Sequence, residues 1–263
     1  MGDVTEGRFT AGMHYLKVGQ GPPLLAATGL TPEHVNPTGL SRRMSLAWAA
    51  PYAEHFTVYL TSRRPALEPG TTVSDIAADY AHAIEHDLGE PVMVHGTSTG
   101  GSVALQLAAD SPGLVTRMVV ASSAYRLSPH GRHVQSEIAR LIGEGDPRRA
   151  AAVLMAALAP RPLRSPARGV GWLAGRVLAP GDSADMLATI EAEDAFDVEA
   201  RLPDIQAPTL VLGGAEDPFY SEELFRGTAA GIPRGRAVVF RGRSHTYPAG
   251  KVPSAIGLGF LLA

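Results

Sequence analysis

Residues 91–101 read Pro91-Val92-Met93-Val94-His95-Gly96-Thr97-Ser98-Thr99-Gly100-Gly101. A short apolar run rich in β-branched residues leads into Gly96-Thr97-Ser98-Thr99-Gly100, a G-x-S-x-G pattern, and a helical stretch over 99–110 follows. Strand, turn and helix in that order hold a serine hydroxyl on a strained turn at the end of a strand. The glycines have a mechanical reason, because so tight a turn brings backbones too close for side chains. The helix start beyond offers free N–H groups and a partial positive charge where an oxyanion would form. Gly100-Gly101 is not followed by the Lys-Ser/Thr of a P-loop, so phosphate binding finds no support.

Outward from this turn, β-rich runs alternate with amphipathic helical patterns. Strands are expected at Met13 to Val18, Pro23 to Thr28, Phe56 to Thr61, Pro91 to His95, Arg117 to Ser122, Thr209 to Gly213 and Arg236 to Arg241. Helices are expected near 41–54, 73–88, 99–110 and 221–230. In 73–88 the residues Val73, Ile76, Ala77, Tyr80, Ala81, Ile84 and Leu88 make one apolar face, with Thr72 as N-cap. The alternation predicts an α/β fold with a mostly parallel central sheet flanked by helices. It breaks between about 125 and 200, where helical segments follow one another; Asp146-Pro147 opens one, and Pro160, Pro162 and Pro166 punctuate before another over Val170 to Leu178. The expected organisation is a core of residues 1–124 and 201–263 with an inserted helical cap, or lid, of 125–200.

Two later pieces give the serine its force. Strand 209–213 runs into Gly214-Ala215-Glu216-Asp217-Pro218, which puts Asp217 beyond a strand's C-terminal edge, with Glu216 beside it as the other candidate acid. Strand 236–241 is followed by Gly242-Arg243-Ser244-His245, and His245 is the only histidine after residue 133. Ser, then Asp, then His is the order of one triad fold among three unrelated ones.

On these residues the chain resembles the α/β-hydrolase superfamily over roughly residues 13–262, with the 125–200 insertion where that family carries its cap. The resemblance implies Ser98 as nucleophile, Asp217 as acid and His245 as base. It also implies an oxyanion hole made by the backbone N–H groups of Leu30 and Thr99. Two segments depart from the family pattern. The chain has Thr28-Gly29 where many members have His-Gly, and Ser62-Arg63-Arg64-Pro65 where many have an Asp- and Gly-rich turn. The expected activity is hydrolysis of a small or medium apolar carboxylic ester or lactone through an acyl-enzyme, by a serine esterase that needs no cofactor and no metal. Thioester hydrolysis, C–C bond hydrolysis and cofactor-free perhydrolysis use the same triad, and fold and triad alone do not fix the substrate. A further alternative is a non-catalytic ligand-binding or sensor protein on a hydrolase frame. Thr28, Thr31, Met155, Trp172, Met186 and Phe196 are the candidate pocket residues.

Composition narrows the partners. The 263 residues are 45% hydrophobic with a net charge of −3, which excludes disorder and gives no reason to expect nucleic acid or an anionic membrane. Cysteine is absent, removing disulfides and thiolate chemistry together. The start, Met1-Gly2-Asp3-Val4-Thr5-Glu6, lacks the basic and apolar run of a signal peptide, so the expectation is a cytoplasmic protein. His82-Ala83-Ile84-Glu85-His86 matches a zinc-protease pattern, but both histidines fall opposite the apolar helix face, toward solvent. Arg140, Arg148, Arg149, Arg161, Arg164, Arg168 and Arg176 in the insertion read as solvated helix faces rather than a landing site for an anionic carrier.

Overall fold

The computed structural model describes residues 3–178 and 183–263. Met1 and Gly2 lie outside the described residues, as do the side chains of Arg161 and Arg176. Eight strands form one sheet: β1 (Thr5–Arg8), β2 (His14–Val18), β3 (Pro23–Ala27), β4 (Thr57–Thr61), β5 (Val92–Thr97), β6 (Val115–Ala121), β7 (Thr209–Gly214) and β8 (Gly235–Phe240). Their spatial order is β1-β2-β4-β3-β5-β6-β7-β8, antiparallel at β1–β2 and β2–β4 and parallel throughout the rest. This is the mostly parallel α/β sheet that the alternating pattern predicts.

Strand β3 is the place where the order reverses. The chain leaves β3 through α1 (Gly39–Ala53) to reach β4 on one side, then returns through α2 (Val73–Ala83) to place β5 on the other. Open α/β sheets bind ligands at such a switch point, outside the carboxyl ends of the strands. Here those ends carry Thr28-Gly29-Leu30 after β3 and Ser98 after β5. Two apolar layers bury the sheet, one around Leu25, Val94, Val120 and Val211, the other around Leu24, Val58, Val119 and Leu212. Consecutive residues on a strand point to opposite faces, which explains how neighbours such as Val119 and Val120 serve different layers.

Helix α2 starts as its sequence dictates: Thr72 Oγ1 accepts from the Asp75 N–H and the Asp75 carboxylate accepts from the Thr72 N–H. It widens into a π-type turn over Ile84–Leu88, so the expected single helix 73–88 is one helix with a looser end. After α3 (Thr99–Asp110) and β6 come α4 (Pro129–Gly143), α5 (Pro147–Leu158), α6 (Arg164–Leu178) and α7 (Ala184–Asp194). Asp146 caps α5 by accepting from the Arg149 N–H. Pro166 begins no break; it sits in the first turn of α6, where a missing N–H costs nothing. Gly171 and Gly175 let α6 lie against α5, since a Cβ at either would stand 2.5 Å from α5 backbone. An isolated antiparallel bridge, Arg126 to Asp197, joins the two ends of this helical stretch. The chain closes with α8 (Glu222–Gly231) and α9 (Lys251–Leu262) around β8. No helix among the described residues is long and apolar enough to cross a membrane.

Besides His245, His95 and His34 are buried among the described residues. His95 packs edge-on against Trp48 and Tyr52, and burial lowers its pKa to about 4. His34, which meets Thr189 Oγ1 at 3.4 Å, is lowered to about 4 by burial and then by the Arg63 charge. Below the unfolded value of 6.5 the unfolded chain takes up these two protons while the folded one does not, so stability falls as pH drops from about 6.5 to about 4. The loss is at most roughly 3 kcal/mol per histidine. Urea midpoints should fall between pH 7 and 5, and His95→Phe, which keeps the ring contacts, should remove about half of the slope.

Candidate active site

Ser98 stands between β5 and α3 with φ 52° and ψ −124°, a conformation that costs a non-glycine residue about 1–3 kcal/mol. The turn is held by the Ser98 N–H donating to the Ala121 carbonyl at 2.8 Å, and by the Gly101 N–H donating back to the Ser98 carbonyl at 2.6 Å. A Cβ at Gly96 would sit 2.4 Å from the Gly100 carbonyl oxygen, and one at Gly100 2.2 Å from that of Ala27. The close approach that the sequence pattern predicts is therefore real at both glycines.

His245 follows β8 and Asp217 follows β7, and the fold brings both to Ser98. His245 Nε2 lies 3.0 Å from Ser98 Oγ, and His245 Nδ1 lies 2.7 Å from Asp217 Oδ2. The other carboxylate oxygen, Oδ1, accepts the N–H groups of Phe219 at 2.8 Å and Tyr220 at 3.2 Å. The Asp217 side chain has no exposed surface and that of His245 only 9%. A buried carboxylate beside Nδ1 puts the ring proton there and leaves Nε2 to accept from the serine hydroxyl. Glu216, the alternative acid, has no such contact with the histidine. The His245 ring is further held by the edge of Phe219 at 4.8 Å and by its own carbonyl, which accepts from Ser122 Oγ at 2.6 Å.

Gly29 and Leu30 lie over the serine: a Cβ at Gly29 would be 3.9 Å from Ser98 Oγ. Among the described residues neither the Leu30 nor the Thr99 N–H has an acceptor, so both donors are free at the mouth of the turn.

A chamber of about 550 Å³ opens on Ser98 and His245. Its apolar wall is built by Met44 of α1, Ile138 of α4, Leu154 and Leu158 of α5, Met186 and Ile190 of α7, and Phe219. Gln135 and three threonines add polar groups, and among the described residues no Asp, Glu, Lys or Arg lines it. Of the expected pocket residues, Met186 is in this wall. The structure places the others elsewhere, by helix phase and loop course. Met155 is turned about 100° from Leu154 on α5 and is not in the wall. Trp172 is 45% exposed on α6, where Arg148 lies over its ring. Phe196 is buried in the core, Thr28 lines the adjoining hollows, and Thr31 is tied to Ser62 and Arg63. The i, i+4 pairs Leu154/Leu158 and Met186/Ile190 were the available signal for the face that lines this chamber.

Behind the serine lies a buried carboxylate that no sequence pattern announced. Glu193 of α7 is 1% exposed. Its Oε2 accepts from Thr99 Oγ1 at 2.9 Å and Gln135 Nε2 at 3.1 Å; its Oε1 accepts from Ser102 Oγ at 3.2 Å and Tyr220 OH at 3.1 Å. Burial, then the Glu193 charge, pushes Tyr220 well above its ordinary value and keeps it a donor. One carboxylate thus joins the helical stretch to the nucleophile helix and to the loop that carries Asp217. Glu193→Ala would orphan four donors and should cost about 3–5 kcal/mol in urea unfolding, whereas Glu193→Gln should cost about 1–3 kcal/mol.

His82 and His86 are exposed; His82 meets Thr10, and no group of three metal-binding side chains gathers among the described residues.

A sheet of this order, with a serine raised on its strand–helix turn at the switch point, is the frame of the α/β hydrolases. The chain belongs to the Alpha/beta hydrolase family, whose sequence pattern it matches over residues 34–253. It is 31% identical over 169 residues to the "Putative carbamate hydrolase RutD" of Variovorax paradoxus (strain S110), an alignment covering 60% of each protein. A protein of the same name from Caulobacter vibrioides (strain NA1000 / CB15N) is 30% identical, with 64% of this chain and 63% of that one covered. The chain therefore spans less than two thirds of the length of these relatives. Among solved structures, MGS-M2, an α/β hydrolase enzyme from a Medee basin deep-sea metagenome library, matches with a TM-score of 0.81 at 18% identity over 95% of this chain and 94% of that one. The enol-lactonase from Burkholderia xenovorans LB400 matches with a TM-score of 0.78 at 20% identity over 98% and 100%. At such identities the structural likeness is one of fold.

Proposed function

We propose that the protein is a serine hydrolase of uncharged, largely apolar carboxylic esters or lactones. The observation that carries this reading is the unbroken chain Asp217–His245–Ser98, with contacts of 2.7 and 3.0 Å, opening on an apolar chamber that no charged side chain among the described residues lines.

In this reading Ser98 Oγ attacks the carbonyl carbon while its proton passes to His245 Nε2. The carbonyl π pair moves onto oxygen, where the Leu30 and Thr99 N–H groups receive it. Collapse breaks the bond to the alcohol oxygen, which leaves with the proton from His245. Water, deprotonated by the same histidine, then releases the acid and restores Ser98. Asp217 stabilises the imidazolium in both halves. Helices α4 to α7 act as the cap that shapes the acyl site.

Carbamate hydrolysis is the second reading, favoured by the similarity to the RutD proteins. Among the described residues the chamber offers no Lys or Arg to hold an anionic carbamate, so the neutral ester is preferred. The test is a fluorophosphonate probe with peptide mass spectrometry, run beside a panel of butyrate esters, γ- and δ-lactones, acyl-thioesters and carbamates. Labelling at Ser98 that collapses in His245→Ala, with turnover of esters or lactones, is expected. Absence of labelling in folded protein overturns the hydrolase reading and leaves ligand binding. Preferential turnover of carbamates overturns the substrate assignment.

A further inference from the structure

We propose that Arg63 is a positioning residue for the oxyanion donor, fixing the peptide between Gly29 and Leu30 so that the Leu30 N–H faces the reacting carbonyl. The inference rests on the hydrolase reading above and explains the Ser62-Arg63-Arg64 segment that departs from the family pattern.

Arg63 follows β4 and is 1% exposed, the largest fully buried side chain among the described residues. No carboxylate reaches it within ion-pair distance among those residues, although a buried guanidinium stays charged and is costly to leave unpaired. It spends its donors on one loop. Nη2 donates to the Gly29 carbonyl at 3.2 Å and to Thr31 Oγ1 at 3.0 Å; Nε donates to His34 Nε2 at 3.0 Å. The Arg64 carbonyl, 2.9 Å from His34 Nδ1, takes the ring proton and leaves Nε2 as the acceptor that Arg63 needs. The loop from Gly29 to His34 is thus gripped from behind at three points by a single planar fork.

The Gly29 carbonyl belongs to the same peptide unit as the Leu30 N–H. In a trans peptide the two point in opposite directions. A cation that holds the carbonyl on the core side therefore turns the N–H to the other side, where Gly29 and Leu30 line the chamber with Ser98. Rotating this peptide would cost the guanidinium an acceptor and aim a carbonyl lone pair at the developing oxyanion. The charge-assisted bond also polarises the amide and strengthens its N–H as a donor.

The test compares full-length wild type, Arg63→Met and Arg63→Lys on p-nitrophenyl butyrate, with kcat referred to sites titrated by fluorophosphonate. A propyl trifluoromethyl ketone, which forms the tetrahedral adduct, is compared with a non-hydrolysable ether isostere of the ester. Arg63→Met should lower kcat by roughly 10²-fold and raise the ketone Ki by a similar factor, with KM and the ether Ki within about twofold. Arg63→Lys keeps a cation on a single nitrogen without the planar fork and should show the same split at about tenfold; it decides the matter if Arg63→Met does not fold. A purely structural role would lower melting temperature and the fraction of titratable sites but leave kcat per site unchanged. That result, or equal losses for ketone and ether, overturns the assignment of Arg63 while leaving the hydrolase reading intact. A wild type that neither labels nor turns over overturns both.

Discussion

Ser98→Ala should lower kcat toward ester substrates by about 10⁶-fold while leaving the fold and the affinity for a product acid nearly unchanged. The size follows from what remains. Without Oγ there is no acyl-enzyme, and water would have to attack from a position occupied by nothing that orients it. The free N–H groups of Leu30 and Thr99 and the apolar chamber still bind a carbonyl, which supports a residual rate above that in water of about 10³–10⁴. Stability should change little, because alanine inherits the same positive φ and loses only one hydrogen bond, that to His245. Steady-state assay at high enzyme concentration, with the melting temperature as control, measures both. A variant that retains more than about a hundredth of wild-type kcat would remove Ser98 from the chemistry.

The sequence was most informative where chemistry and geometry impose local rules. The G-x-S-x-G turn, the Thr72 N-cap and the Asp146-Pro147 helix start were legible because each depends on neighbours within a few residues. Seven of the strands were legible from their apolar runs. Strand β1 was not, since Thr5-Glu6-Gly7-Arg8 is polar and largely exposed, and pairs only because β2 offers it an edge. The pocket was half legible: an apolar face could be assigned to the insertion, but its phase could not, and a shift from Leu154 to Met155 moves a side chain out of the chamber. Glu193 was invisible, and Arg63 stood out only as a departure from the family pattern, for a different reason. A buried charge looks in sequence like any surface charge, and its partners are supplied by residues 91, 94 and 34 positions away. Only the topology, which folds α7 onto α3 and sets the loop after β4 behind the loop after β3, reveals what they hold.

Asp217→Asn should lower kcat by about 10⁴-fold, and the structure indicates why this isosteric change is so damaging. An asparagine must place one oxygen and one NH₂ where two carboxylate oxygens stood. Oδ1 faces two backbone donors, the N–H groups of Phe219 and Tyr220, and an NH₂ there would leave three donors in conflict inside a fully buried site. The amide oxygen is therefore forced to the Oδ1 position, and the NH₂ is presented to His245 Nδ1. That nitrogen must then accept, so the ring proton moves to Nε2 and points at Ser98 Oγ, where a base is required. Nothing in the fold is lost, but the histidine is held in the wrong tautomer. Asp217→Glu should retain more activity than Asp217→Asn if the carboxylate can still reach Nδ1, because it keeps the acceptor. The expected signature is a large loss in kcat with KM within a few-fold of wild type and an unchanged melting temperature. Near-wild-type kcat in Asp217→Asn would show that another group, Glu216 first, serves His245 in solution.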